Sequence, residues 1–188
     1  MKKLLVSVLV LTGITLIACN SEEKKTDAPA VAEEQNDKKF DSTNMNKDAD
    51  FAVFAADGGM AEVDLGKIAL TNASSQSVKD LGKMLVDDHS KANEELKALA
   101  QQNNITLPAT VSDDHKKKAE ELSEKKGAEF DKAYLDAMQD GHEKTISKFE
   151  TESSNGNNMA LKQWATDKLP ALKHHLEMIK QIKDGMKK

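Results

Sequence analysis

The sequence predicts an all-α protein, an antiparallel four-helix bundle with one or two extra short helices. Three observations predict it. The chain is rich in Ala, Leu, Glu, Lys, Gln and Met and carries only 9 Gly and 3 Pro in 188 residues, the usage of a helical protein. Apolar residues recur at three- and four-residue steps through long windows, and no window alternates as a strand would. The breaks between windows are short, so neighbouring helices run antiparallel.

The chain opens on basic Met1-Lys2-Lys3 and an apolar run, Leu4–Ala18, too short to span a bilayer comfortably as a mature helix. The run ends Leu16-Ile17-Ala18-Cys19, which resembles the lipobox of bacterial lipoproteins. That resemblance implies a signal peptide over residues 1–18, cleavage before Cys19, and acylation of its sulfur and new amine. More than one acyl chain is what stable anchoring needs. The expected location is the cell envelope, with the protein held by its lipids on the periplasmic or surface face of an outer membrane. Glu22-Glu23 loosely resembles signals that send some lipoproteins to the outer face of the cell.

Residues 20–47 are polar and poor in large apolar side chains. Too little surface is there to bury, so 19–47 reads as the lipidated cysteine and a disordered tether. As a flexible coil it would reach roughly 30 Å. The bundle domain is then residues 48–188.

Asp48–Ala73 is the first long helix, with Asp48 or Asp50 as N-cap. Phe51, Ala55, Gly58, Glu62, Leu65 and Ala69 share its inner face. Gly58-Gly59 and Gly66 permit close approach of a neighbour. Ser74-Ser75 breaks the chain and caps Gln76–Gln102, whose inner face is Val78, Leu81, Leu85, His89, Ala92, Leu96 and Leu99. Ser112 caps a short helix of lysines and glutamates ending near Lys126, on which His115 reads as exposed. Gly127–Glu152 brings Phe130, Tyr134, Met138, His142, Thr145 and Phe149 into phase. After a loop over Ser153–Asn158, a short helix Met159–Lys168 precedes the last one, which starts at Leu169-Pro170. Pro costs nothing in a first turn. Leu172, His175, Ile179, Ile182 and Met186 share the last inner face, with His174 one step round.

Several segments together resemble the bacterial DUF4142 family: Gly58-Gly59-Met60-Ala61-Glu62-Val63-Asp64-Leu65-Gly66, Met84-Leu85-Val86-Asp87-Asp88-His89, Phe130-Asp131-Lys132-Ala133-Tyr134, Met138 with His142, and Leu169-Pro170-Ala171-Leu172-Lys173-His174-His175-Leu176. The resemblance implies a ferritin-like helical bundle in an exported, lipoprotein-like setting, and no established activity. Ferritin-like bundles often house two irons through Glu-x-x-His pairs. Here Val86, Gln139 and Leu172 stand three residues before His89, His142 and His175, which counts against a di-iron site.

The candidate metal ligands are Glu62, Asp88, His89, His142 and His175, which converge if the helices align at their middles. Imidazole with carboxylate suits zinc, iron or copper. Met84, Met138 and Met178 lie within a turn of these residues as candidate soft ligands, and thioether with imidazole would favour Cu(I). Met at helical spacing is also common core filler. The histidines can equally form a hydrogen-bonded polar layer, to Glu62 or Asp88, that sets helix register.

Two functions follow. One is a lipid-anchored envelope bundle binding a transition metal for storage or stress buffering. The other is a structural or protein-interaction module whose polar layer only sets packing. A metal-dependent oxidase is a third reading. All 27 basic residues are Lys, and the net charge is −5. Without the bidentate Arg fork and with an acidic balance, nucleic acid is not an expected partner. Gly-x-Ser-x-Gly, P-loop and His-Glu-x-x-His patterns are absent. The single cysteine, Cys19, rules out an intramolecular disulfide and is taken up by acylation.

Overall fold

The computed structural model describes residues 27–40 and 44–186. Cys19 and the Leu4–Ala18 run lie outside the described residues. Six helices follow one another: α1 (Ala28–Phe40), α2 (Met45–Asn72), α3 (Gln76–Gln102), α4 (Asp113–Ser123), α5 (Gly127–Asn155) and α6 (Met159–Gly185). Among the described residues there is no strand. The four long helices form the bundle, and α1 and α4 are the two short additions. No described helix is long and apolar enough to cross a membrane.

The pairing is antiparallel in both hairpins. From α2 to α3, Gly66 lies against Gly82 and Gly59 against Asn93, so one number falls as the other rises. From α5 to α6, Asp136 pairs with Lys183, Glu143 with Lys180 and Glu150 with Lys173. A Cβ on Gly66 would come within 2.8 Å of the Gly82 carbonyl oxygen, and one on Gly82 within 3.0 Å of the Gly66 carbonyl. Here two backbones touch, and only glycine allows it. Gly58 meets nothing within 4 Å, so no close approach depends on it.

The core divides into two apolar clusters. One holds Phe51, Ala55, Leu96, Ile146, Phe149, Leu161, Trp164 and Leu172. The other holds Leu65, Leu81, Leu85, Phe130, Tyr134, Met138 and Ile179. On every long helix the polar position falls between them: Glu62 on α2, His89 on α3, His142 on α5 and His175 on α6. The helix midpoints do align, and the polar residues form one layer.

Four expectations are corrected. The stretch read as a disordered tether contains α1, which buries Ala32 and Asn36. The Asn36 side chain both donates to the Thr106 carbonyl (2.8 Å) and accepts from the Thr106 amide (2.7 Å). A short polar helix is thus held by a backbone clamp, which hydrophobicity does not reveal. The last arm is not split: α6 runs through Pro170. Proline removes the bond to the Thr166 carbonyl, but Trp164 and Ala165 before it and Leu172 and His175 after it are all buried, and their packing outweighs the break. Likewise α5 continues through the expected loop to Asn155. Met186 is exposed, past the end of the bundle's inner face.

Two connections leading into helices are tied by distant carboxylates that the local pattern does not name, while the α6 N-cap is Asn158 itself, which accepts from the Ala160 and Leu161 amides. α2 begins at Met45, so Asp48 is inside it. Its carboxylate accepts from the Asn157 and Asn158 amides, tying α2 to the start of α6. Ser74 and Ser75 donate their amides, and Ser74 its hydroxyl, to the buried Asp131 carboxylate on α5.

Candidate metal centre

The two hairpins each contribute two side chains to the mid-height layer. From the first, Glu62 Oε2 and His89 Nε2 stand 2.6 Å apart. From the second, His142 Nε2 lies 3.3 Å from His175 Nδ1, and 3.5 Å from Glu62 Oε2. The three ring centroids are 5.4 to 5.9 Å apart. One ring nitrogen from each of His89, His142 and His175 falls within 4.8 Å of the others. All four residues are buried, His142 completely.

The outer contacts decide where the ring protons sit. His142 Nδ1 is 3.0 Å from the Met138 carbonyl, one turn back on α5. A carbonyl only accepts, so Nδ1 carries hydrogen and Nε2 presents a lone pair. His175 Nε2 is 2.9 Å from Asp88 Oδ2, so it donates and leaves the Nδ1 lone pair facing inward. With both rings neutral, two inward lone pairs meet at 3.3 Å, with the Glu62 carboxylate beside them. Only a shared proton or a cation relieves that arrangement. Outward donation of this kind is how ligating histidines are oriented. Glu62 Oε2 and His89 Nε2, buried and 2.6 Å apart, make no hydrogen bond of good geometry.

Electrostatics favour an anionic Glu62. Burial opposes its charge, but His89 and His142 outweigh burial and hold it down at about 2. Burial likewise opposes a charged His89, and the Glu62 carboxylate overcomes that and raises its pKa. His175 is lowered, first by burial and then by the other two imidazoles, against the pull of Asp88. A lowered pKa keeps it neutral, the form that binds metal.

Of the residues expected at the site, Glu62, His89, His142 and His175 are brought together. Asp88 sits half-exposed outside the ring, behind His175. Met138, Met84 and Met178 pack with the Leu81–Leu85–Tyr134 cluster. Met138 adds its carbonyl as the anchor of His142, a role that its position one turn earlier could have signalled. His174 is exposed. His115 is not simply exposed among charges: it lies 3.0 Å from Asp57 Oδ2, and Asp57 also accepts from the Ser112 amide.

Two openings reach the layer. A cavity of about 60 Å³ has Phe54, Phe149, Trp164 and Leu172 in its walls and Glu62, His89 and His175 along one side. A wider cleft of about 750 Å³ between α2, α4 and α5 also reaches Glu62, past Asp57 and His115.

Fold and site together define a class: an all-α four-helix bundle with a buried histidine–carboxylate centre at mid-height whose three imidazoles can hold a metal ion. Residues 31–182 match the family model DUF4142, a domain of unknown function, and the chain belongs to that family. Among curated proteins none matches the sequence. Two solved structures share the fold, described as CopM in the Cu(I)-bound form and CopM in the Cu(II)-bound form. Each has a TM-score of 0.63 and 18% identity over 74% of this chain. The match covers 96% of the first and 97% of the second.

Proposed function

We propose that the protein is a lipid-anchored, transition-metal-binding bundle of the cell envelope. It holds one copper ion between His89, His142, His175 and Glu62, in storage or stress buffering. The carrying observation is the inward convergence of His142 Nε2 and His175 Nδ1, 3.3 Å apart, each ring held from outside by an acceptor. Three imidazoles and a carboxylate make a borderline donor set suited to Cu(II) and Zn(II). The copper-bound forms in which the neighbouring fold is described support copper first. A buried centre keeps such an ion from open solvent, which is what buffering requires.

The test is copper analysis of the domain after loading and desalting, on the parent and on His142→Ala. One copper per chain, lost in the variant, is the expected outcome. Copper content unchanged by the substitution would sink the assignment. No retained copper, with melting indifferent to chelator, would favour the second reading: a structural layer in which Glu62 and His89 form an ion pair and function lies at the surface. The 2.6 Å approach of those two groups is the observation on that side.

The anchoring half of the reading rests on Leu16-Ile17-Ala18-Cys19. Cys19→Ser is expected to move the protein from the membrane fraction to the soluble fraction; a variant still sedimenting with membranes would remove the lipid anchor from the account.

A further inference from the structure

The cavity above the layer is more than a packing defect. Its lining joins Glu62, Asp88, His89 and His175 to Phe54, Phe149 and Trp164, with Asn93, Thr145 and Lys168 also at its edge. The aromatic side is braced: Phe51 meets Phe149 edge-on at 4.9 Å, and Phe149 meets Trp164 at 5.4 Å. These rings cannot easily collapse onto the centre. A space of about 60 Å³ exceeds several-fold the roughly 10–15 Å³ that one water needs on the same measure. A mostly apolar lining with a few convergent polar groups is the arrangement of a small-ligand site.

We propose that this cavity admits a monovalent anion of two or three heavy atoms, which bonds end-on to the metal ion held by the histidines and Glu62. This rests on the metal-binding reading above. The charge argument selects the class. A divalent ion with the buried Glu62 carboxylate carries a net single positive charge; of the other charged groups in the lining, Asp88 is half in solvent and Lys168 is paired with Glu95, and a mostly apolar surround penalises charge left uncompensated. A monoanion brings the centre to neutrality, and a dianion overshoots. A space of about 60 Å³ favours an anion of few atoms over larger oxyanions. Small linear anions such as azide therefore fit.

Gly58 gives a way to close the site without breaking the fold. It lines the cavity, sits one turn before Glu62, and a Cβ there meets no atom within 4 Å. Gly58→Leu puts a side chain into the open space, and Leu172→Phe narrows it from α6. The experiment loads the parent and both variants with copper(II), measures copper per chain, then titrates azide and follows the azide-to-copper charge-transfer absorption. The parent is expected to bind one azide per copper. Both variants are expected to keep their copper and lose at least tenfold in azide affinity. Copper retained with no azide band in the parent overturns this inference and leaves the metal reading standing. Equal azide affinity in parent and variants also overturns it, since the anion would then reach copper by another route. Failure to retain copper in the parent removes both.

Discussion

At the scale of single residues, the centre shows how a polar side chain is admitted to a core. Each buried histidine has a polar neighbour of a different kind: a backbone carbonyl one turn back accepts from His142, a half-exposed carboxylate accepts from His175, and a buried carboxylate stands 2.6 Å from His89. Glu152 lacks such an arrangement. It is buried on α5, its Oε1 has no hydrogen-bond partner, and burial followed by the Asp48 carboxylate pushes its pKa up to about 7. The folded state therefore holds a proton that the unfolded chain, titrating near its ordinary 4.5, has released. Between those values the native state binds more protons, so stability falls as pH rises through the window. Glu152→Gln imitates the protonated form. Its melting temperature is expected to exceed the parent's by several degrees at pH 8 and to match it at pH 5. A gap that is the same at both values would mean that Glu152 does not titrate in this window.

At the scale of helices, the sequence was most legible where the 3.6 period was unbroken. The stripes of α3 and α5 placed His89 and His142 inward because Val78, Leu81 and Leu85, and Phe130, Tyr134 and Met138, fixed the phase on one side of each. The boundaries of α3 were readable for the same reason, with Ser75 before it and Asn103 after it. What local pattern could not show was long-range. Pro170 reads as a start, yet packing on both sides carries α6 through it. Asp48, Asp131 and Asn36 serve backbone groups at least 50 residues away, and no spacing rule connects them. The glycines divide in the same way. Gly58 and Gly66 look alike in sequence, but only Gly66 touches another backbone. Gly66→Ala is expected to lose about 1–2 kcal/mol, the overpacking cost less the helix-propensity gain. Gly58→Ala is expected to gain about 0.5–1 kcal/mol. Urea unfolding of the two variants checks the pair, and equal shifts would contradict the Gly66–Gly82 contact.

At the scale of the whole molecule, the layer's decisive property is how it is divided. Glu62 and His89 belong to the α2–α3 hairpin, and His142 and His175 to the α5–α6 hairpin. Within a hairpin a short connection already holds the partners together. Between hairpins only side chains and the loops around α4 do so. An ion taking donors from both hairpins would therefore bind only when they are docked, and its binding free energy would act on global unfolding. At an ion concentration a hundredfold above the dissociation constant, that linkage is worth about 2.7 kcal/mol. For a chain of this size it corresponds to a rise in melting temperature of roughly 5–10 °C. Thermal unfolding with and without copper is expected to show that rise as one cooperative transition, reversed by chelator and absent in His142→Ala. A rise that survives His142→Ala would place the ion elsewhere. A rise confined to one of two separated transitions would mean that the ion sits within a single hairpin, and the four-residue centre would have to be redrawn around that hairpin alone.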